Sequence, residues 1–320
     1  MPVSSWLLGL VLLFQNAALP PKLTLELRPE HEALAPAART TLAVVVRITP
    51  PWHVYHPILL DSGAPTVIEF DAPSGVTIDN LRFPPPTLDV SDKGDIKIET
   101  LIYEGEFVVL ADVTVDSSVK AGDVVTIGAY ASALACIEQC IPVEARTRIR
   151  APVRAELGAA TNPQFFEQAR AALAPPLAEA PYIKGSTIAL SKPKLRVGES
   201  AEIVATIRVR ENHHIQDRNP GVESLIASRL WIESHSGIEV ADEEEQIWPP
   251  AHERDMPYIG KVREQSGEFK IRVPLKVADP KLPSGPVELR VLFQYQCCSD
   301  AGQCFAPEMA ADVVRFEVVN

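Results

Sequence analysis

The chain has 320 residues, 46% hydrophobic and 22% charged. That is enough apolar content for packed cores and a length that suggests about two domains. Lys and Arg number 30 against 42 Asp and Glu, a formal net charge of −12 without a long basic cluster, which argues against binding to nucleic acid or an anionic membrane surface.

The first segment, Trp6 to Phe14, is an apolar run too short to cross a bilayer. Gln15-Asn16-Ala17-Ala18 follows, so the spacing predicts a signal peptide over residues 1–18 with cleavage near Ala17 or Ala18. A buried first strand is the competing reading, but Pro20-Pro21 would cut such a strand off from a sheet. No later stretch approaches about 18 uninterrupted apolar residues, so no membrane span is expected. The mature protein is expected to be periplasmic or secreted, where disulfides persist.

Beyond residue 22 the chain reads as two copies of one unit. Thr41 to Ile48 and Ala201 to Val209 are alternating strands, and each runs into a His-containing segment: Trp52-His53-Val54-Tyr55-His56 in the first copy, His213-His214 in the second. Phe83-Pro84-Pro85-Pro86 matches Trp248-Pro249-Pro250, and Glu104-Gly105-Glu106-Phe107 matches Ser266-Gly267-Glu268-Phe269. Thr126 to Cys136 and Val287 to Cys298 are β runs that each deliver cysteines. The 29 prolines and period-two runs between Gly/Pro turns indicate an all-β protein made of antiparallel sandwiches. The copies are expected at 22–150 and 184–320, joined by a linker at 151–183. Within that linker Asn162 is a candidate N-cap and Pro163 an N1 residue for a short helix over Gln164 to Ala174, stopped by Pro175-Pro176. Phe165, Phe166 and Leu173 are expected to dock it onto a domain.

The five cysteines fall in two clusters. Cys136 and Cys140 flank three residues, and Cys298 and Cys304 flank a polar loop of five. A strand end and its return strand lie about 5 Å apart, so both pairs are within disulfide reach. Bridges that close such small loops remove little chain entropy. They are either structural braces or labile, exposed redox groups, and spacing alone leaves both open. Neither cluster holds a histidine at ligand spacing, which disfavours zinc; no metal is expected at His53, His56, His213 or His214 either. Cys297 should face away from Cys298, because neighbouring strand residues point to opposite faces; it reads as a buried, inert thiol. Trp52 and Tyr55 read as core and edge packing.

Tyr295-Gln296-x-Cys298-x5-Cys304-x-x-Pro307-Glu308 resembles the active-site strand pair of the N-terminal periplasmic domain of the thiol:disulfide interchange protein DsbD. Trp52-His53-x-Tyr55, the mid-domain Pro-Pro and Tyr103-x-Gly105 are similar to that family as well. The resemblance covers both copies and implies immunoglobulin-like folds, no cofactor, and electron relay from a thioredoxin-like donor domain to exported disulfide-containing proteins. It implies that Cys304 forms the mixed disulfide and Cys298 resolves it, with Cys140 and Cys136 as the first-copy matches. It also implies a shielding cap, which here is His252 to Tyr258 with Asp255 and Tyr258 over the cysteines, and Tyr295, Gln296 and Asp300 as flanking residues. The first-copy counterpart, Asp92 to Asp95, has no aromatic, and Ala133-Leu134 replaces the Tyr-Gln flank. The second copy is therefore expected to be the more active. The rival functions are a non-catalytic binding or scaffold module, and a metal-handling protein using Cys297, Cys298 and Cys304.

Overall fold

The computed structural model describes residues 22–94, 96–256 and 260–319. The proposed signal peptide and Tyr258 lie outside the described residues. The first copy contains β1 (Leu23–Pro29), β2 (Arg39–Ile48), β3 (His53–Tyr55), β4 (Val67–Asp71), β5 (Val76–Arg82), β6 (Thr87–Lys93), β7 (Ile96–Glu104), β8 (Glu106–Val115), β9 (Val124–Cys136) and β10 (Cys140–Pro152). Helix α1 (Pro163–Ala171) follows. The second copy contains β11 (Ile183–Leu190), β12 (Lys194–Arg196), β13 (Ser200–Val209), β14 (His213–Gln216), β15 (Arg229–Ile232), β16 (Ile238–Val240), β17 (His252–Met256), β18 (Gly260–Ser266), β19 (Glu268–Val277), β20 (Gly285–Tyr295), β21 (Cys297–Ser299) and β22 (Glu308–Val319). The protein is all-β: two immunoglobulin-like sandwiches with a helical linker.

One sheet of each sandwich has the same order, β1-β2-β8-β5 in the first and β11-β13-β19-β16 in the second. The facing layer differs. In the first copy it is a single sheet, β10-β9-β3-β7-β6, with β4 also on β9. In the second it is two sheets, β12-β22-β20-β15 and β17-β18-β14-β21. The cause is local. The run that is continuous through Val124–Cys136 in the first copy is interrupted at Gln296 in the second, leaving β20 and a short β21. Gln296 is held out of the ladder by its side chain, which accepts from the Ile226 amide at 2.9 Å and donates to the Phe305 carbonyl at 3.1 Å.

The hydrophobic pattern explains where the linker helix lies. β13 alternates buried and half-exposed residues, as a strand with one solvated face should. The equivalent β2 is buried along nearly its whole length. Leu42, Val44 and Val46 enter the first core, while Ala43 on the outer face joins Leu110, Phe166 and Ala169 in a separate buried cluster. Helix α1 covers that face. Asn162 caps it, its Oδ1 accepting from the Phe165 amide at 3.2 Å, and Pro163 occupies the first turn. The helix ends at Ala171, three residues before the expected Ala174: the Ala172 amide makes the last α-helical bond, to Gln168, and the Leu173 amide closes a tighter turn on Arg170 ahead of Pro175.

The sandwiches meet through Ile58 and Leu101 of the first and Trp231 and Leu292 of the second, all buried. Arg229 pairs with Glu99 across this junction, and the Arg290 guanidinium lies 5.2 Å from the Phe83 ring centre. Strand β7 thus serves two contacts. Leu101 faces the junction, and Ile102, on the opposite face, packs with Tyr55 and Cys136.

Candidate functional site

Both cysteine pairs are disulfides, Cys136–Cys140 with Cα atoms 4.1 Å apart and Cys298–Cys304 with Cα atoms 3.9 Å apart. Cys136 and Cys140 are register partners where β9 turns into β10, and Cys298 and Cys304 form an isolated bridge at the end of β21. Each bridge is asymmetric. Cys136 and Cys298 are 2% and 1% exposed, whereas Cys140 and Cys304 are exposed. The second residue of each pair is therefore the one open to solvent.

A central strand runs under each buried sulfur. His53 of β3 is the register partner of Cys136, and His214 of β14 is the partner of Cys298. Two residues on, and so on the same face, stand Tyr55 and Gln216. The Tyr55 hydroxyl donates to Cys136 Sγ at 3.3 Å and lies 3.9 Å from Cys140 Sγ. Gln216 Nε2 donates to Cys298 Sγ at 3.1 Å. Burial pushes the Tyr55 phenol above its ordinary ionisation range, so it remains a donor. Gly63 makes room for its ring: a Cβ there would sit 2.6 Å from Tyr55 ring atoms, and its φ of 108° suits glycine. The sequence pattern alone assigns Tyr55 to edge packing and predicts neither sulfur contact. The signal was the repeat itself, because aligning His53 with His214 places Tyr55 over Gln216.

The second disulfide has a more polar surround. Asp300, in the loop between its cysteines, places Oδ1 3.2 Å from His214 Nδ1. The other ring nitrogen, Nε2, lies 2.9 Å from Arg254 Nη2 and 3.1 Å from Glu264 Oε2. Arg254 belongs to β17, the described part of the expected cap. Asp255, its neighbour, is exposed and pairs in register with Lys261, away from the sulfurs. Beside Cys304, Phe305 stacks on Tyr182 with ring centres 4.4 Å apart, and His213 lies 5.3 Å from Tyr182. These aromatics form a shelf next to the exposed sulfur.

Tyr295 does not flank the disulfide. Its ring is fully buried in the second core against Phe293, and its hydroxyl donates to the Pro181 carbonyl at 2.5 Å. Cys297 shares that core and is 0% exposed. Residues 295 and 297 share one face, and 296 and 298 the other. In the first copy, Ile137, Glu138 and Gln139 form an exposed loop. His56 is buried, its Nδ1 accepting from the Ile58 amide at 2.9 Å, and burial lowers its ionisation to about 3. It is a neutral structural residue. Among the described residues, no three His, Cys, Asp or Glu side chains converge as a metal site, and no helix is long and apolar enough to cross a membrane.

The family model of the N-terminal region of the thiol:disulfide interchange protein DsbD matches the chain twice, at residues 24–152 and 187–314. The chain belongs to the DsbD N-terminal family. It is a tandem member, with one disulfide at the matching hairpin of each domain, and its family is one of thiol–disulfide interchange. Among solved structures it is similar to the N-terminal periplasmic domain of ScsB from Proteus mirabilis: 10% identity, 90% of this chain and 91% of that one covered, TM-score 0.40. It is also similar to the reduced DsbD N-terminal domain of Neisseria meningitidis: 12% identity, 36% of this chain and 80% of that one, TM-score 0.24. No curated protein matches the chain.

Proposed function

We propose that this DsbD N-terminal family protein is an exported thiol–disulfide relay. It accepts electrons from a thioredoxin-like donor and passes them to disulfide-containing proteins of the periplasm. The observation that carries this reading is the repeated asymmetry of the bridges, one sulfur buried against a hydrogen-bond donor and the other open. A structural brace needs neither feature. Thiol–disulfide exchange uses both, since the incoming thiolate must reach one sulfur and the other must leave as a stabilised thiolate. Cys304 takes the partner, and Cys298 resolves. Cys140 and Cys136 have the same roles in the first copy. Asp300 and the aromatic shelf at Phe305 make the second copy the more active one.

Trapping tests this. With Cys298→Ser, Cys304 activated as its mixed disulfide with thionitrobenzoate should release that thiol and form a stable mixed disulfide with a reduced thioredoxin-like domain whose resolving cysteine is replaced by Ser, and Cys304→Ser should abolish it. An adduct that persists without Cys304 and disappears with Cys140→Ser reverses the ranking of the copies. No adduct through either cysteine refutes the relay, as would reduction potentials below about −300 mV for both pairs, the range of structural bridges; a relay fits roughly −200 to −270 mV.

A further inference from the structure

Buried polar side-chain atoms are almost always hydrogen-bonded. Among the described residues, Gln216 Oε1 and Arg254 Nε are buried without a hydrogen-bond partner, and they lie together with Glu264 Oε2, which is buried and held by ion pairs alone. Gln216 is the register partner of Glu264, and Glu264 Oε2 lies 3.1 Å from Arg254 Nη2. His214, on the same face as Gln216, is 2% exposed in its side chain and is the register partner of Cys298. The face of β17, β18 and β14 beneath the second disulfide therefore holds spare hydrogen-bonding capacity. A group left unsatisfied in one state is explained when another state supplies its partner.

We propose that Gln216 is a catalytic residue of the second disulfide, holding Cys298 in both of its reduced forms. This rests on the redox reading of the disulfide given above. When a dithiol reduces the bridge, its thiolate attacks Cys304 Sγ. The Cys298–Cys304 bond breaks, and Cys298 Sγ leaves with the electron pair. The dithiol's second thiolate then attacks its own sulfur in the mixed disulfide and releases Cys304. The dithiol ends as a disulfide, two electrons have moved, and the two protons it gave up return to the cysteines through solvent. Gln216 Nε2–H already lies 3.1 Å from the leaving sulfur and is strengthened as that sulfur becomes an anion. Once Cys298 takes up its proton, rotation of the amide brings Oε1 round to accept the S–H. The orphaned oxygen then has its partner. Tyr55 does the same work in the first copy through one hydroxyl that donates or accepts.

His214 and Arg254 are positioning residues. His214 ties Asp300 of the cysteine loop to Arg254 of β17, which places the Arg254 guanidinium among the groups around Cys298. Glu264 and Asp300 are the facing anions, and His214 is the titratable group between them.

The test uses the full chain with both disulfides formed. It is reduced by excess dithiothreitol from mildly acidic to mildly alkaline pH and quenched by alkylation. Loss of each disulfide is followed by peptide mass spectrometry. The rate ratio of second to first disulfide cancels the reagent's own pH dependence. Gln216→Met should lower this ratio about tenfold, the effect of one hydrogen bond to a charged group. Gln216→Glu should lower it progressively as its carboxyl ionises beside the departing thiolate. An unchanged ratio in Gln216→Met with native circular dichroism overturns the proposal. If Gln216→Met does not fold, the near-isosteric Gln216→Glu decides: a pH-independent ratio overturns it. No partner protein is present, so a ratio that responds while trapping fails would remove the relay and leave this role of Gln216 standing.

Discussion

Cys297 is next to the Cys298–Cys304 disulfide in sequence, and its reactivity decides whether the second cluster holds two reactive sulfurs or three. The side chain is 0% exposed and packs in the second core with Tyr295 and Ile215. Burial raises its ionisation from 9.0 to about 12, with Arg210 opposing and Asp300 reinforcing the shift. At neutral pH three units reduce the thiolate fraction by about a thousandfold relative to an ordinary thiol. Cys297 is the free cysteine of the oxidised protein, so alkylation by iodoacetamide reports it alone. The native protein should label at least about a thousandfold more slowly than the same chain in guanidinium chloride. Native labelling within about tenfold of the unfolded rate would refute the assignment of Cys297 to the core. Linkage supplies a second readout. The folded value is raised, so the contribution to stability is complete below 9.0 and is lost as pH rises toward about 12. Its ceiling is about 4 kcal/mol at about 1.4 kcal/mol per unit. Cys297→Ala should remove this alkaline loss while costing about 1–2 kcal/mol at neutral pH for the small cavity.

Phe166 is 1% exposed and anchors helix α1 against Ala43 and Leu110. Phe166→Ala should cost about 3–5 kcal/mol and lower the thermal midpoint by about 10 °C, measured by circular dichroism; a shift under about 2 °C would mean that the helix is not docked. At Asp112, burial alone would raise the carboxyl, but hydrogen bonds from Arg82, Asn80 and Arg39 bring it down to about 2. With the folded value depressed, the stabilisation is present above 3.8 and is lost as pH falls toward about 2. Asp112→Asn should therefore be less stable near neutrality by about 1–2 kcal/mol, after allowance for the exposed Arg39, and the gap to wild type should close in acid, read from urea unfolding across pH.

Much of this protein is local in origin, and that part was legible from the residues. Alternation over Ala201 to Val209, the Gly-Glu-Phe turns and the Asn162-Pro163 start signal depend on two- and four-residue geometry. They placed strands, repeats and the linker helix with few errors. The cysteine spacings work the same way, because a hairpin of three or five residues brings its own ends together. Even the core position of Tyr295 was implicit, since it lies two residues from Cys297 and must share its face. Register and packing between distant segments decided the rest. Periodicity reads Thr41 to Ile48 as an alternating strand, and only the fold shows that its outer face is buried as well, under α1. It gives Tyr55 and Gln216 a face, but not the sulfur that lies across from it, because cross-strand partners come from strands about 80 residues away in sequence. Arg254, Glu264, His214 and Asp300 come from three strands and a loop and share no sequence motif; the sheet assembles them beside Cys298 because strands spaced about 5 Å apart place same-face side chains in contact whatever their separation along the chain.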